Sequence, residues 1–163
     1  MSAPPRGAGR AEPDGRLDGG PRRETRHAAR EAAVQMLYQW EIGRQPMLEV
    51  TSTYFTPGLT TDEPIGEELR AFATALAGGV AATLDRIDPL IAAAAEHWRI
   101  ERMAVMDRLI LRLAVYELLE QPETPSRVII NEALELARTF STDEAVRFIN
   151  GILDGIRRSL QRE

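Results

Sequence analysis

Residues 22–30 read RRETRHAAR, four arginines and a histidine within nine positions of a chain whose formal charge is −5. Wound as a helix at 100° per residue, Arg23, Arg26, His27 and Arg30 gather on one side. Arg22, Arg26 and Arg30 fall at i, i+4 and i+8, where like charges repel. They also lie near a helix N-terminus, where the macrodipole disfavours cations. Neither Arg26 nor Arg30 has an acidic residue three or four positions away, whereas a solvated helix face usually interleaves both signs. The chemistry such a group offers is anion binding. All twenty basic residues are arginine, so Schiff-base chemistry and a lysine grip on phosphate are absent, and guanidinium groups, which hold phosphate bidentately, must serve instead.

The charge is divided unevenly along the chain. Residues 1–30 carry seven Arg against Glu12, Asp14, Asp18 and Glu24, a net of +3, and the remainder carries thirteen Arg against twenty-one acids, a net of −8. A basic arm on an acidic body implies two surfaces and two kinds of partner. Such a body does not suit duplex DNA, whereas a local arginine edge with a few aromatics suits single-stranded RNA.

Other candidate chemistry is sparse. His27 follows Glu24 as E-x-x-H, half of a di-iron signature, but the second copy and the further carboxylates it needs are missing, and the flanking arginines repel a metal ion. His97, between Glu96 and Trp98, reads as a surface or capping residue, and Asp85 and Asp88 as helix-end polarity. The sequence holds no cysteine, which removes disulfides and thiolate metal sites. It also lacks a P-loop, a G-x-G-x-x-G and a G-x-S-x-G. These features point away from an enzyme, and no cofactor or metal is expected.

The elements that must position these residues are helical. Residues 1–21 are rich in Gly, Pro and Arg with one large aliphatic, Leu17. They bury too little apolar area to offset chain entropy, so residues 1–22 are expected to be a disordered tail. Ala29, Ala33, Met36, Leu37 and Trp40 then form an apolar stripe at 3–4 spacing, ended by Gly43 and Pro46. A short helix fits Met47–Phe55, before the turn signals Pro57, Gly58 and Pro64. Leu69, Phe72, Leu76, Val80, Leu84 and Ile87 predict one long amphipathic helix. Asp88-Pro89 reads as an N-cap and first helical residue opening a short helix to about Trp98.

Residues 101–119, ERMAVMDRLILRLAVYELL, are apolar over more than half of the helix circumference and predict the centre of a bundle. After the loop QPETP, Val128–Phe140 restarts with Ile130, Ala133, Ala137 and Phe140. STDE at 141–144 reads as a capping box, with Ser141 or Thr142 as cap and Glu144 reaching back. Val146, Ile149, Leu153, Ile156 and Leu160 mark the last helix. Asn131 and Asn150, inside helices, read as buried hydrogen-bonding residues. Six to seven helices and no strand pattern give an all-α fold. No apolar run approaches the roughly 20 residues that span a bilayer, and MSAPPRGAGRAEPDGRLDGGP lacks a signal-peptide core, so a cytoplasmic location is expected.

Four segments in order, AREAAVQMLYQWE (29–41), DRLILRLAVYEL (107–118), VIINEALELARTF (128–140) and RFINGILDGI (147–156), resemble the NusB family of transcription antitermination proteins, a resemblance covering about residues 23–160. It implies two packed three-helix-type bundles, at about 23–87 and 88–160, and no catalysis. It implies an antitermination factor that binds the boxA element of ribosomal RNA leaders together with NusE, a small-subunit ribosomal protein. The complex then joins RNA polymerase and suppresses premature termination.

Position by position, the resemblance implies RNA contacts for Arg23, Arg26 and Arg30. His27 and Ala28 depart from a basic pattern, for which Arg22 and the tail can compensate. Phe148 matches an aromatic used against an RNA base. It lies about 100° from the Ile149/Leu153/Ile156 stripe, which fits that role, and it equally fits a phenylalanine flanking the core. For NusE the resemblance points to Asp107 and Glu144, with Tyr38 and Phe140 near them. Asp107 interrupts an apolar helix and needs water or a cation beside it; Arg102, Arg108 and Arg112 are the candidates within the chain. Two further readings fit the same residues: an accessory module like those fused to RNA cytosine methyltransferases, and a protein–protein adaptor or homodimer with the first helix buried.

Overall fold

A computed structural model describes residues 21–56 and 66–163, apart from the side chains of residues 21 and 22. Residues 1–20 of the expected tail 1–22 and the turn signals Pro57, Gly58 and Pro64 lie outside the described residues. Among those described there are seven α-helices and one 3₁₀ turn, and no strand.

Helix α1, Pro21–Glu41, takes in the last two residues of the expected tail 1–22, because it opens on a proline whose fixed φ suits a first helical position. Its stripe of Ala29, Ala33, Met36 and Leu37 is fully buried. The short α2, Met47–Thr53, leads into Tyr54 and Phe55, whose rings meet edge-to-face at 4.9 Å. The Tyr54 hydroxyl bonds the Gln35 side-chain carbonyl and ties this corner back to α1. Ala73, Leu76, Ala77 and Val80 are the buried face of α3, Glu67–Ala82, and small residues on both partners let α1 and α3 pack closely.

The long helix expected through Ile87 is broken at Thr83, and α4 is Leu84–Ala94. The Thr83 hydroxyl donates to the Gly79 carbonyl at 2.7 Å, while its own N–H goes to Val80. Back-bonding of this kind bends or ends a helix. Pro89 therefore sits inside α4 rather than at its start. Asp88 is not its cap but receives Arg112 Nε and Nη2, both at 2.9 Å.

A 3₁₀ turn, Ile100–Arg102, precedes α5, Val105–Glu120. This helix runs through the middle of the molecule, with α1 and α3 on one side and α4, α6 (Ser126–Phe140) and α7 (Asp143–Ser159) on the other. Its buried Leu109, Ile110, Leu111, Leu113, Val115 and Leu118 join both groups into one core. Gly79 belongs to this contact: a Cβ there would stand 2.2 Å from the Tyr116 ring of α5. The stripe Ile149, Leu153 and Ile156 is buried as its spacing predicts, each side chain contributing about 1.5–3 kcal/mol.

Two corrections concern polar helix positions. Thr142 is the cap of α7, accepting from Ala145 N–H at 3.1 Å. Glu144 is thus the second helical residue, one short of the box position. Asn131 and Asn150 are exposed, not buried.

Buried ion pairs fix how α1 lies on α5. Arg30, midway along α1, pairs with Glu117 late in α5. Glu41, the last residue of α1, receives Arg108 at 2.9 Å and Arg112 at 3.1 Å from early in α5. Reversing either helix would face like charges and sliding it would part the pairs, so the pattern favours the antiparallel register.

Candidate nucleic-acid interface

The first turns of α1 carry Arg23, Arg26, His27 and Arg30, and the structure separates them by burial. Arg23 is 64% exposed at the side chain, with Nε 4.0 Å from Glu132 of α6. His27 Nδ1 lies 2.6 Å from Glu132 Oε2, and Nε2 lies 2.9 Å from Glu31 Oε1. Only imidazolium can donate to both carboxylates at once. Burial pulls its pKa down, but the hydrogen bond and charge of Glu132, then those of Glu31, outweigh it and hold the group above its ordinary 6.5. The Glu24-x-x-His27 spacing is not used, and among the described residues no group of His, Cys, Asp or Glu is arranged to hold a metal ion.

Arg30 does not occupy the accessible edge expected from its spacing. It is 3% exposed, with Nε and Nη2 donating to Glu117 at 3.0 and 2.7 Å and Nη1 3.8 Å from Glu132. The carboxylates that neutralise it come from α5 and α6, beyond the reach of a rule based on neighbours along one helix. Its geometry is that of an internal anchor, because a buried cation can stay charged only when paired and hydrogen-bonded.

Arg26 is the contrast. It is half-buried, and no carboxylate stands within ion-pair distance of it among the described residues. Its guanidinium lies 5.6 Å from the centroid of the Phe72 ring of α3, and Arg30 lies 5.6 Å from the same ring. The repulsion expected between Arg26 and Arg30 is thus offset by an aromatic face between them and by carboxylates behind Arg30. The 3–4 spacing of α3 predicts Phe72 as a core position, and packing adds its contact with the two guanidinium groups. The side chain of Arg22 lies outside the described residues.

The remaining candidates lie around the other end of α5. Asp107, Glu144 and Phe148 line a cleft of about 360 Å³ with Trp98, Arg102 and Met103. Phe148 is therefore grouped with the acidic positions and not with the arginines. Asp107 and Glu117 are ten residues apart on α5, roughly 15 Å along its axis. Trp98, 58% exposed, meets Phe148 edge-to-face at 6.1 Å. It was missed because its sequence neighbours suggest only a helix end.

Asp107 accepts from the Ser141 hydroxyl at 2.5 Å. Two of the arginines that could have neutralised it turn elsewhere, Arg108 to Glu41 and Arg112 to Glu41 and Asp88, and Arg102 lines the same cleft. Asp107 makes no ion pair among the described residues. Tyr38, 43% exposed, lines a separate groove at the α1–α2 corner with Ile42 and Gln45. Phe140 is half-buried at the end of α6 and packs against the core.

Comparison with known proteins bears on this arrangement. The model of the NusB family matches residues 27–158. The transcription antitermination protein NusB of Koribacter versatilis (strain Ellin345) is 45% identical over 139 residues, covering 85% of this chain and 92% of the relative. That of Solibacter usitatus (strain Ellin6076) is 43% identical over 136 residues, 83% of this chain and 90% of the relative. Among solved structures, T. maritima NusB superposes with a TM-score of 0.73 at 34% identity, over 82% of this chain and 90% of that one. A structure described as antitermination factors NusB and NusE in complex with dsRNA matches at a TM-score of 0.68 and 22% identity, over 83% of this chain and 98% of that one. At that identity the likeness speaks for the fold.

Proposed function

The chain belongs to the NusB family, and from that premise we propose that it acts in the cytoplasm as a transcription antitermination factor. It binds the boxA element of ribosomal RNA leaders together with NusE, as part of an antitermination complex on RNA polymerase. Its task is recognition and assembly, and no catalytic role is assigned to any residue. The observation that carries the RNA half of this reading is Arg26, a cation without a carboxylate partner among the described residues, beside the exposed Arg23 on an otherwise acidic body. Arg22, Arg23, Arg26 and His27⁺ supply positive charge to phosphate, and Arg30 holds the helix that presents them. Asp107 and Glu144 offer negative surface, and Phe140 and Tyr38, the latter in its separate groove, aromatic surface to a basic protein. Phe148 offers a ring beside that surface, where RNA leaving the arginine edge and the protein partner can meet.

The relatives covered to about nine-tenths of their length are transcription antitermination proteins, which favours that role over the methyltransferase-module reading. The direct test is a titration of a boxA-containing single-stranded RNA onto the full chain, with and without NusE. The reading expects binding that tightens when NusE is present and weakens with salt. RNA affinity that is nil under both conditions, or unaffected by salt, overturns it.

A further inference from the structure

We propose that Phe72 is a positioning residue for RNA binding: its ring holds the Arg26 guanidinium in place without neutralising it. The inference rests on the reading of the arginine edge as the RNA contact and goes further, because it names the group that prepares that edge.

The argument starts from what could have held Arg26. A carboxylate fixes a guanidinium well, but it cancels the charge and occupies the N–H donors that a phosphate needs. This is what has happened to Arg30, whose donors go to Glu117. An aromatic ring attracts the cation through its quadrupole, leaves the full charge in place and competes poorly for the N–H groups. Arg26 has the ring and no carboxylate among the described residues.

The ring is itself held. Phe72 lies on α3 and packs against the core, and its contact with Arg30 ties it to a side chain fixed by two carboxylates. The order of support runs from Glu117 and Glu132 to Arg30, then to Phe72, then to Arg26. A long side chain at a helix start otherwise loses rotamer freedom on meeting its ligand; one already restrained loses less. The benefit appears as affinity for RNA. It also explains how Arg26 and Arg30, like charges one turn apart, coexist on α1.

The experiment uses the full chain with NusE and a short fluorescein-labelled single-stranded RNA carrying boxA, read by anisotropy. Phe72→Leu keeps an apolar side chain and removes the ring, and is expected to weaken RNA binding about two- to fivefold. Phe72→Tyr, which keeps the face, restores it. In an Arg26→Ala background, Phe72→Leu adds nothing, because the residue it positions is gone. A purely structural phenylalanine would weaken binding equally in both backgrounds, and that result overturns the proposal, as does wild-type affinity for Phe72→Leu. If Phe72→Leu does not fold, phenylalanines of increasing fluorination at position 72 keep the shape and drain the quadrupole. Affinity should then fall stepwise with fluorination, and a flat series overturns the inference. Should Arg26→Ala alone bind RNA as the wild type does, the arginine-edge reading fails with it; loss in Arg26→Ala without loss in the Phe72 variants sinks only the positioning role.

Discussion

Glu117 and Asp107 stand on the same helix, ten residues apart, and have opposite fates. Glu117 is 1% exposed and takes a bidentate contact from Arg30. Asp107 is half-buried and, among the described residues, receives only a serine hydroxyl. The arginines of α1 repeat the contrast, with Arg30 enclosed by carboxylates and Arg26 left charged against a ring. A charge satisfied within the chain builds the fold, and one left short of a partner is available to another molecule. Sequence spacing cannot separate the two cases, because the satisfying partner is brought by packing.

The sharpest way to break this comparison is to remove a satisfied charge. Arg30→Ala strands Glu117 in the core, and loss of one member of a buried pair costs about 3–5 kcal/mol. Thermal unfolding should therefore fall by roughly 6–20 °C. Replacing Arg30 by Met together with Glu117 by Leu should recover most of that loss, since both charges then disappear. A melting temperature unchanged in Arg30→Ala would mean that the pair does not anchor α1. Lost RNA binding in this variant would be a consequence of unfolding, so Arg30 is a poor probe of the interface.

Removing an unsatisfied charge should do the reverse. Asp107→Arg is expected to weaken NusE binding at least about tenfold, through like charge against a basic partner, while melting shifts by no more than about 3 °C. Calorimetric titration and a thermal scan on the same sample decide it. An unchanged affinity removes Asp107 from the interface, and a collapsed melting temperature places it with Glu117.

The smallest effect concerns His27, which belongs partly to each class. Its folded-state pKa lies above the ordinary 6.5. The stability it contributes is therefore fully present below about pH 6.5 and is lost as pH rises through the higher folded-state value. His27→Gln should flatten the stability profile over that window in denaturant titrations. A variant that keeps the wild-type slope would show that another group titrates there.

What was legible in the sequence follows the same division. The stripes of α6 and α7 and the apolar girth of α5 are local patterns, and they predicted the all-helical fold and its centre. The break at Thr83 was hidden because Leu69 to Ile87 keep their 3–4 spacing across it. What ends the helix is one hydroxyl taking the Gly79 carbonyl. At the interface, the clustering of Arg23, Arg26, His27 and Arg30 was readable from helix geometry. The burial of Arg30 was not, since Glu117 and Glu132 arrive from distant parts of the chain. Nor was the pairing of Trp98 with Phe148, which needs the connection after α4 and α7 to meet.

The central claim is that Arg26 keeps its charge for RNA while Arg30 gives its charge to the fold. The most direct test is the salt dependence of boxA RNA binding by Arg26→Ala beside the wild type, with melting followed in parallel. The account predicts weaker binding, a log–log salt slope shallower by about 0.7 for one lost single-strand phosphate contact, and an unchanged melting temperature. Equal slopes and equal affinities across the salt range would contradict it.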